Sequence, residues 1–305
     1  MKVTLIHNPD AGDDDKPSGD QILRLIRDAG HKARYHSAKE KTWKQALEKP
    51  GDIVAVAGGD GTVGKVARRL AGTRTPVAVL PMGTANNIAN TLGLTDNTFQ
   101  ELIDGWNTAR CVNFDAGVAK GPWGSKTFIE GFGIGLFAET MFQIDNGAHP
   151  HASQSEDPEE EIDAVLQVLK KQLSKYRSKD LTVRLDGQDL SGDYFLLEAL
   201  NVRYFGPRLD LVPRAEINDG LLDVVFVSKP EQARLSRYIS DRLKRKRQRA
   251  SLTVRRGRHL QVEWEISPVH IDDMPWPEDK DDCPMRSNAV DIKIDPGALV
   301  FLKIQ

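Results

Sequence analysis

A run of apolar, strand-favouring residues that breaks into glycines constrains this chain more than any other stretch. It reads Val54-Ala55-Val56-Ala57-Gly58-Gly59-Asp60-Gly61-Thr62. The apolar part has the character of a buried strand, the glycines of a turn, and Thr62 of the opening of a helix over about 63–71. A strand ending in such a turn exposes backbone N–H groups with no Cβ in the way. With the positive end of the following helix they form a seat for phosphate. Glycine is needed where an anion approaches the backbone closely or where φ turns positive. Asp60 is the odd member, because a carboxylate repels phosphate oxygens. It fits there if Mg²⁺ lies between them, or if it orients a hydroxyl that attacks phosphorus. An ordinary Gly-rich corner is the bland alternative, and the density of the pattern argues against it.

A second stretch answers the first. Val77-Ala78-Val79-Leu80-Pro81-Met82-Gly83-Thr84-Ala85-Asn86-Asn87-Ile88-Ala89 again reads as strand, Gly-containing turn and helix start. In an open parallel sheet two such turns face one crevice at the C-terminal ends of their strands. Asn8-Pro9 follows the first apolar run, Lys2 to His7. On these residues, the GGDGT at Gly58 to Thr62 and the Pro81-x-Gly83-Thr84-x-Asn86 segment, the chain resembles the diacylglycerol kinase catalytic-domain family. That family includes bacterial lipid kinases and sphingosine and ceramide kinases; NAD kinases share the GGDGT segment as more distant relatives. The resemblance is specific for the superfamily and less so for the acceptor.

The resemblance implies an ATP-dependent kinase with Mg²⁺ across the phosphates and a lipid hydroxyl as acceptor, reached in a cleft between two domains. Gly58, Gly59, Gly61 and Thr62 would bind nucleotide phosphate, and Gly83 and Thr84 would do so from the second turn. Asn8 belongs to the same nucleotide set. Asn86 would hold ribose or phosphate, or serve as a helix-start cap. Ser37, just past a second strand, stands where the family uses a hydroxyl near the nucleotide, and a plain turn serine fits equally well. Val212 to Val224 resembles the family's P-x-A-x-x-x-D-G-x-L-D segment. Carried over, the Mg²⁺ ligands are the Asp219 side chain and the carbonyls of Glu216 and Leu221. Asn201, Gly206 and the Glu130–Gly135 run also resemble family positions, the last as a tight strand-to-helix turn.

The chain departs from the family at His270-Ile271-Asp272-Asp273-Met274. Relatives carry Asp-Gly-Glu there, with the glutamate as the base that takes the acceptor proton. Asp272 matches the Asp, Asp273 replaces the Gly and Met274 replaces the Glu. A thioether cannot accept that proton usefully, and general-base help is worth typically 10²–10⁴-fold. Asp272 or Asp273 then becomes the candidate substitute, with Glu278 as another. Lys65 and Asn87 are smaller departures, from Glu and Asp. The alternatives kept open are an NAD kinase-type enzyme with a soluble acceptor and a catalytically impaired relative that binds nucleotide or lipid.

Composition narrows the rest. A net charge of −2 gives no general pull toward nucleic acid or an anionic membrane. Two cysteines, Cys111 and Cys283, are too few for a disulfide scaffold and fit a reducing cytoplasm. No apolar run approaches the ~18 residues of a membrane span, and the short first strand is no signal peptide. A soluble cytoplasmic protein is expected. Cations at Arg242, Lys244, Arg245, Lys246, Arg247 and Arg249 close a helix candidate over 231–249, and Arg255, Arg256 and Arg258 follow soon after. They read either as a solvated helix end or as a transient peripheral contact, over 242–258, with the inner face of a membrane. Homo-oligomerisation is open.

In chain order the first part alternates strand and helix, as a doubly wound α/β nucleotide domain does. A capping box at Ser18 to Gln21 opens its first helix. From about residue 114 the pattern turns β-rich, with Asp186-Gly187 as a hairpin turn. An antiparallel β-sandwich is expected over 114–295, and an α/β domain over 1–113 completed by 296–305. Residues 145–161 read as a mobile polar loop, where His149 and His151 are weak metal candidates, and an apolar stripe from Ile162 to Leu173 reads as a packed helix.

Overall fold

A computed structural model describes residues 1–12, 16–145, 157–246, 248–265, 267–277 and 288–304. His149, His151, Arg247, Ile266, Glu278 and Cys283 lie outside the described residues. The chain forms two compact units, Met1–Asp115 with Gly297–Gln305, and Ala116–Pro296.

The first unit alternates β1 (Lys2–His7), α1 (Gly19–Asp28), β2 (Lys32–Ser37), α2 (Trp43–Ala46), β3 (Ile53–Gly58), α3 (Asp60–Leu70), β4 (Val77–Pro81), α4 (Asn87–Leu92) and α5 (Phe99–Asp104). Capping boxes at Ser18/Gln21 and Thr98/Glu101 start α1 and α5. The strands are parallel in the order β4-β3-β1-β2. All six residues of β3 are buried, which explains its unbroken apolar run. Phe301 near the C-terminus pairs parallel with Val77 and packs its ring on Phe114. From β1 the order proceeds to β2 on one side and β3 on the other. The carboxyl ends of β1 and β3 therefore flank a topological switch point, where α/β sheets bind ligands.

The second unit begins within β5 (Arg110–Gly121) and continues β6 (Gly124–Phe128), β7 (Gly131–Gly135), α6 (Leu136–Asp145), α7 (Pro158–Leu173), β8 (Lys179–Leu185), β9 (Gln188–Asp189) and β10 (Gly192–Leu200). It ends with β11 (Tyr204–Phe205), β12 (Leu209–Asp210), β13 (Leu222–Ser228), α8 (Lys229–Leu243), β14 (Thr253–Gly257), β15 (His259–Trp264), β16 (Val269–Ile271), β17 (Met274–Trp276) and the first part of β18 (Asn288–Lys303). Its paired strands are antiparallel. Leu197 and Ala199 of β10 join Val224, Phe226 and Trp264 in one core layer. Leu196 and Leu200 face the other way, onto Phe137, Leu166, Leu169, Leu235 and Ile239 of helices α6, α7 and α8. The unit is thus an antiparallel sandwich with helices over one face. Asp186 (φ 50) and Gly187 (φ 82) form the β8–β9 hairpin turn.

Several expectations are corrected. Helix α3 begins at Asp60, so Gly61 and Thr62 lie inside its first turn, while Gly58 closes the strand. Ser37 ends β2 rather than following it. Gly131–Gly135 is a strand, and the turn into α6 falls at Gly135, whose φ of 102 suits glycine alone. Residues 158–161 open α7, with Asp157 accepting from the Glu159 N–H, instead of belonging to a loop. Helix α8 stops at Leu243, so Lys244, Arg245, Lys246 and Arg249 are not on it. Helix α6 follows the Gly135 turn and runs on to Asp145, and strands β14, β16 and β17 were not anticipated.

Candidate active site

In the first unit the predicted nucleotide residues gather along the carboxyl edge of the parallel sheet. Register places His7 beside both Ser37 and Ala57, and Gly58 beside Pro81. Asn8 ties β1 to β3, its N–H donating to the Ala57 carbonyl at 2.9 Å. The buried Ser37 hydroxyl accepts from the Lys39 N–H at 3.3 Å. Gly59 is the N-cap of α3 and has no side chain to cover the helix's first N–H groups. Gly58 allows Thr62 to pack closely, since a Cβ there would lie 2.8 Å from Thr62 Cβ. Beside this edge opens a cleft of about 220 Å³ lined by Ile6, Asn8, Trp43, Thr62, Lys39 and Lys65, among others. Both lysines are exposed, and Lys39 pairs with Asp10 at 2.5 Å.

The two glycine turns touch. A Cβ on Gly83 would lie 2.5 Å from Gly59 Cα. Asp60 joins them chemically: its carboxylate accepts the N–H groups of Asn87 (2.8 Å) and Ile88 (3.0 Å), capping α4 from the neighbouring helix. Asn86 is left-handed at φ 49 and makes no side-chain cap. Its amide instead closes on Gly83, accepting from the Gly83 N–H at 2.9 Å and donating to the Gly83 carbonyl at 2.5 Å. Thr84 is half-buried on the same loop.

In the second unit, Asp219 Oδ1 accepts from the Leu221 N–H at 3.0 Å, while Oδ2 is held by Arg256. Arg256 also reaches the buried Asp223, Nε to Oδ1 at 3.1 Å. Burial and the Glu216 charge push the Asp223 carboxyl up to about 6. Glu216, Asp219 and Asp223 outnumber the guanidiniums of Arg214 and Arg256, and the hard oxygens of the loop suit Mg²⁺ in kind. Among the described residues no three His, Cys, Asp or Glu side chains converge on a metal position. Backbone carbonyls such as those of Glu216 and Leu221 would have to complete such a site.

Asp272 and Asp273 share one turn and differ in setting. Asp272 is 3 % exposed, and its carboxylate accepts the N–H groups of Ile129 (2.9 Å), Glu130 (2.8 Å) and Gly131 (3.2 Å). It also carries the left-handed φ of 53 in the turn. Asp273 is exposed and lacks that conformation, so replacing a glycine there carries no backbone strain. Partial burial and the Asp273 charge raise the carboxyl of Asp145, at the end of α6. Sequence reasoning missed Asp145, because it was read as the start of the polar loop over 145–161 and not as the end of a helix. Met274 opens β17, half-buried and paired with Ile271.

Comparison with known proteins places these features. Residues 2–118 match the diacylglycerol kinase catalytic domain, and residues 142–303 match the YegS C-terminal NAD kinase beta sandwich-like domain. The chain is 26 % identical over 270 residues to the "Diacylglycerol kinase" of Mycobacterium tuberculosis, covering 84 % of this chain and 76 % of that protein. It is 30 % identical over 224 residues to a "Probable lipid kinase YegS-like" of Cronobacter sakazakii, covering 68 % and 70 %. In fold it is similar to a diacylglycerol kinase crystal structure from Bacillus anthracis str. Sterne, with TM-score 0.72, 22 % identity and coverage of 99 % and 96 %. Yeast NADH kinase shares the fold more distantly, with TM-score 0.54, 10 % identity and coverage of 100 % and 84 %. With both of its halves matched in this way, the chain belongs to the diacylglycerol kinase and YegS-like lipid kinase family of phosphotransferases.

Proposed function

We propose that the protein transfers the γ-phosphate of ATP to a lipid hydroxyl. The observation that carries this reading is the contact of the two glycine turns, locked by Asp60, at the switch point of the first unit's sheet. Backbone N–H groups at Gly59 to Thr62 would take nucleotide phosphates, and Lys65 would add positive charge at the rim. Asn8 and Thr62 line the cleft, and Ser37, Gly83, Thr84 and Asn86 would supply further nucleotide contacts. Asp60 acts here by holding the second turn to the first.

Mg²⁺ would be held by Asp219 with the carbonyls of Glu216 and Leu221, displacing Arg256 from Asp219. When bound it would neutralise phosphate charge. For the acceptor proton we assign Asp273, with Asp145 close enough to feel its charge. Asp272 is committed to backbone N–H groups and orients the turn. The exposed cations Lys244, Arg249, Arg255 and Arg258 would supply a transient contact with anionic lipid; Arg245 is paired to Glu159 and Asp163, and Lys246 to Asp241. Among the described residues no helix is long and apolar enough to cross a membrane.

The test is transfer of radiolabelled phosphate from ATP with Mg²⁺ to lipids in mixed micelles, with NAD as a soluble control. The lipids are diacylglycerol, monoacylglycerol, sphingosine, ceramide and phosphatidylglycerol. Transfer to a lipid is expected. Transfer to NAD alone would replace this reading with a soluble-acceptor kinase, and nucleotide binding without transfer would leave an impaired relative.

A further inference from the structure

The buried part of strand β10, Phe195 to Leu200, is apolar except at Glu198, which points to the helix-covered face with Leu196 and Leu200 and is 0 % exposed. Glu198 is in register with Gly133 of β7, and Gly133 with His270 of β16. The two side chains therefore approach from opposite sides of the strand between them. They meet over Gly133, His270 Nε2 lying 2.7 Å from Glu198 Oε2. A Cβ on Gly133 would collide with His270 Nε2 and both Glu198 oxygens, so glycine is what leaves room for the contact. The Phe205 ring stacks on the imidazole at 4.9 Å and closes it from solvent.

The other imidazole nitrogen fixes the proton count. His270 Nδ1 lies 3.1 Å from the carbonyl oxygen of Asp272. A carbonyl only accepts, so Nδ1 bears a proton. One further proton then occupies the Nε2···Oε2 contact, on nitrogen or on oxygen, and the pair is neutral overall in both forms. Burial raises the Glu198 carboxyl, against the pull of His270. Glu198 Oε1 is buried with no partner among the described residues. A site selected for stability alone would fill this layer with apolar groups at no loss.

We propose that Glu198 and His270, sharing one proton over Gly133, form a positioning pair for the Asp272–Asp273 turn. The link runs from Glu198 through His270 to the Asp272 carbonyl. From the Asp272 carboxylate it continues to the N–H groups of Ile129, Glu130 and Gly131. It holds a left-handed residue in place and sets where the exposed Asp273 carboxylate stands. The kinetic consequence rests on the lipid-kinase reading above; the proton arrangement does not.

The test uses the full-length chain labelled with ¹⁵N at histidine, at pH 7, with the His270 signal assigned by loss in His270→Gln. A protonated Nδ1 is expected, and a bare Nδ1 with an Nε2–H tautomer overturns the proposal. Two variants then separate positioning from bulk stability. In Glu198→Gln the side-chain amide donates to Nε2 while Nδ1–H keeps the Asp272 carbonyl, so kcat should stay within about threefold of wild type. In Glu198→Leu the imidazole loses its anchor within an apolar layer, and kcat should fall at least tenfold with the KM for ATP unchanged. The backbone amide signals of Ile129, Glu130 and Gly131 should move in the leucine variant and not in the glutamine variant. A leucine variant with wild-type kcat and unmoved amides overturns the proposal. If the leucine variant does not fold, the wild-type nitrogen signals and the glutamine variant decide. If the wild type phosphorylates no acceptor, the kinase reading falls alone, and the nitrogen and amide signals still settle the pair.

Discussion

At the scale of single residues, two adjacent carboxylates of one turn have opposite environments. Asp272 holds three backbone N–H groups out of solvent, whereas Asp273 is exposed beside the raised Asp145. Removing a general base costs typically 10²–10⁴ in rate. Asp273→Asn is therefore expected to lower kcat at least ~100-fold with KM for ATP unchanged, as steady-state kinetics on the accepted lipid would show. An Asp273→Asn enzyme with full kcat would move the base elsewhere. Asp60→Ala removes a carboxylate that caps α4 through two N–H groups. Loss of such a cap costs about 1 kcal/mol, and denaturant unfolding should register it together with weaker nucleotide binding. Asp60 was legible as part of a phosphate motif; its capping partner, 27 residues away, was not.

At the scale of elements, the two glycine turns work as one piece because their backbones touch. Gly83→Ala places a methyl 2.5 Å from Gly59 Cα, where only backbone movement can relieve it. ATP affinity should fall by tenfold or more, measured by calorimetric titration. Unchanged affinity would mean that nucleotide does not use this contact. Strand β3 was readable from its apolar run, and α1 from its capping box, since these signals are local. The GFGIG segment was read as a turn from its resemblance to family positions, and its three glycines have low strand propensity. Pairing on both sides, with β10 and β16, overrides that preference.

At the scale of the whole molecule, acid sensitivity should arise in the first unit. Burial lowers His7 from its ordinary 6.5, and burial with the neighbouring N-terminal charge lowers His31, against a raising effect of Asp104. A depressed histidine is neutral in the folded state, so its contribution is complete above pH 6.5 and is lost as pH falls through the folded values. Thermal unfolding of the first unit should therefore be flat from pH 8 to 7 and shift downward below about 6.5. His7→Gln should reduce that slope, and an unaltered slope would assign the sensitivity to other groups. The division into an α/β unit and an antiparallel sandwich was visible as a change of hydrophobic period near residue 114. The helices that cover one sandwich face were visible without their bounds, because the polar residues of the first turn of α7 and the cations beyond α8 carry no apolar period.

The sequence by itself determined the fold class, the glycine turns and the family, because each is written in contiguous residues whose spacing and conformational needs are local. Only the tertiary structure decided which carboxylates are available. It placed Arg256 on Asp219, three backbone N–H groups on Asp272, and Glu198 across Gly133 from His270. These partners come from strands and loops far apart in sequence, and the charge, proton and exposure of a group depend on what the fold brings to it.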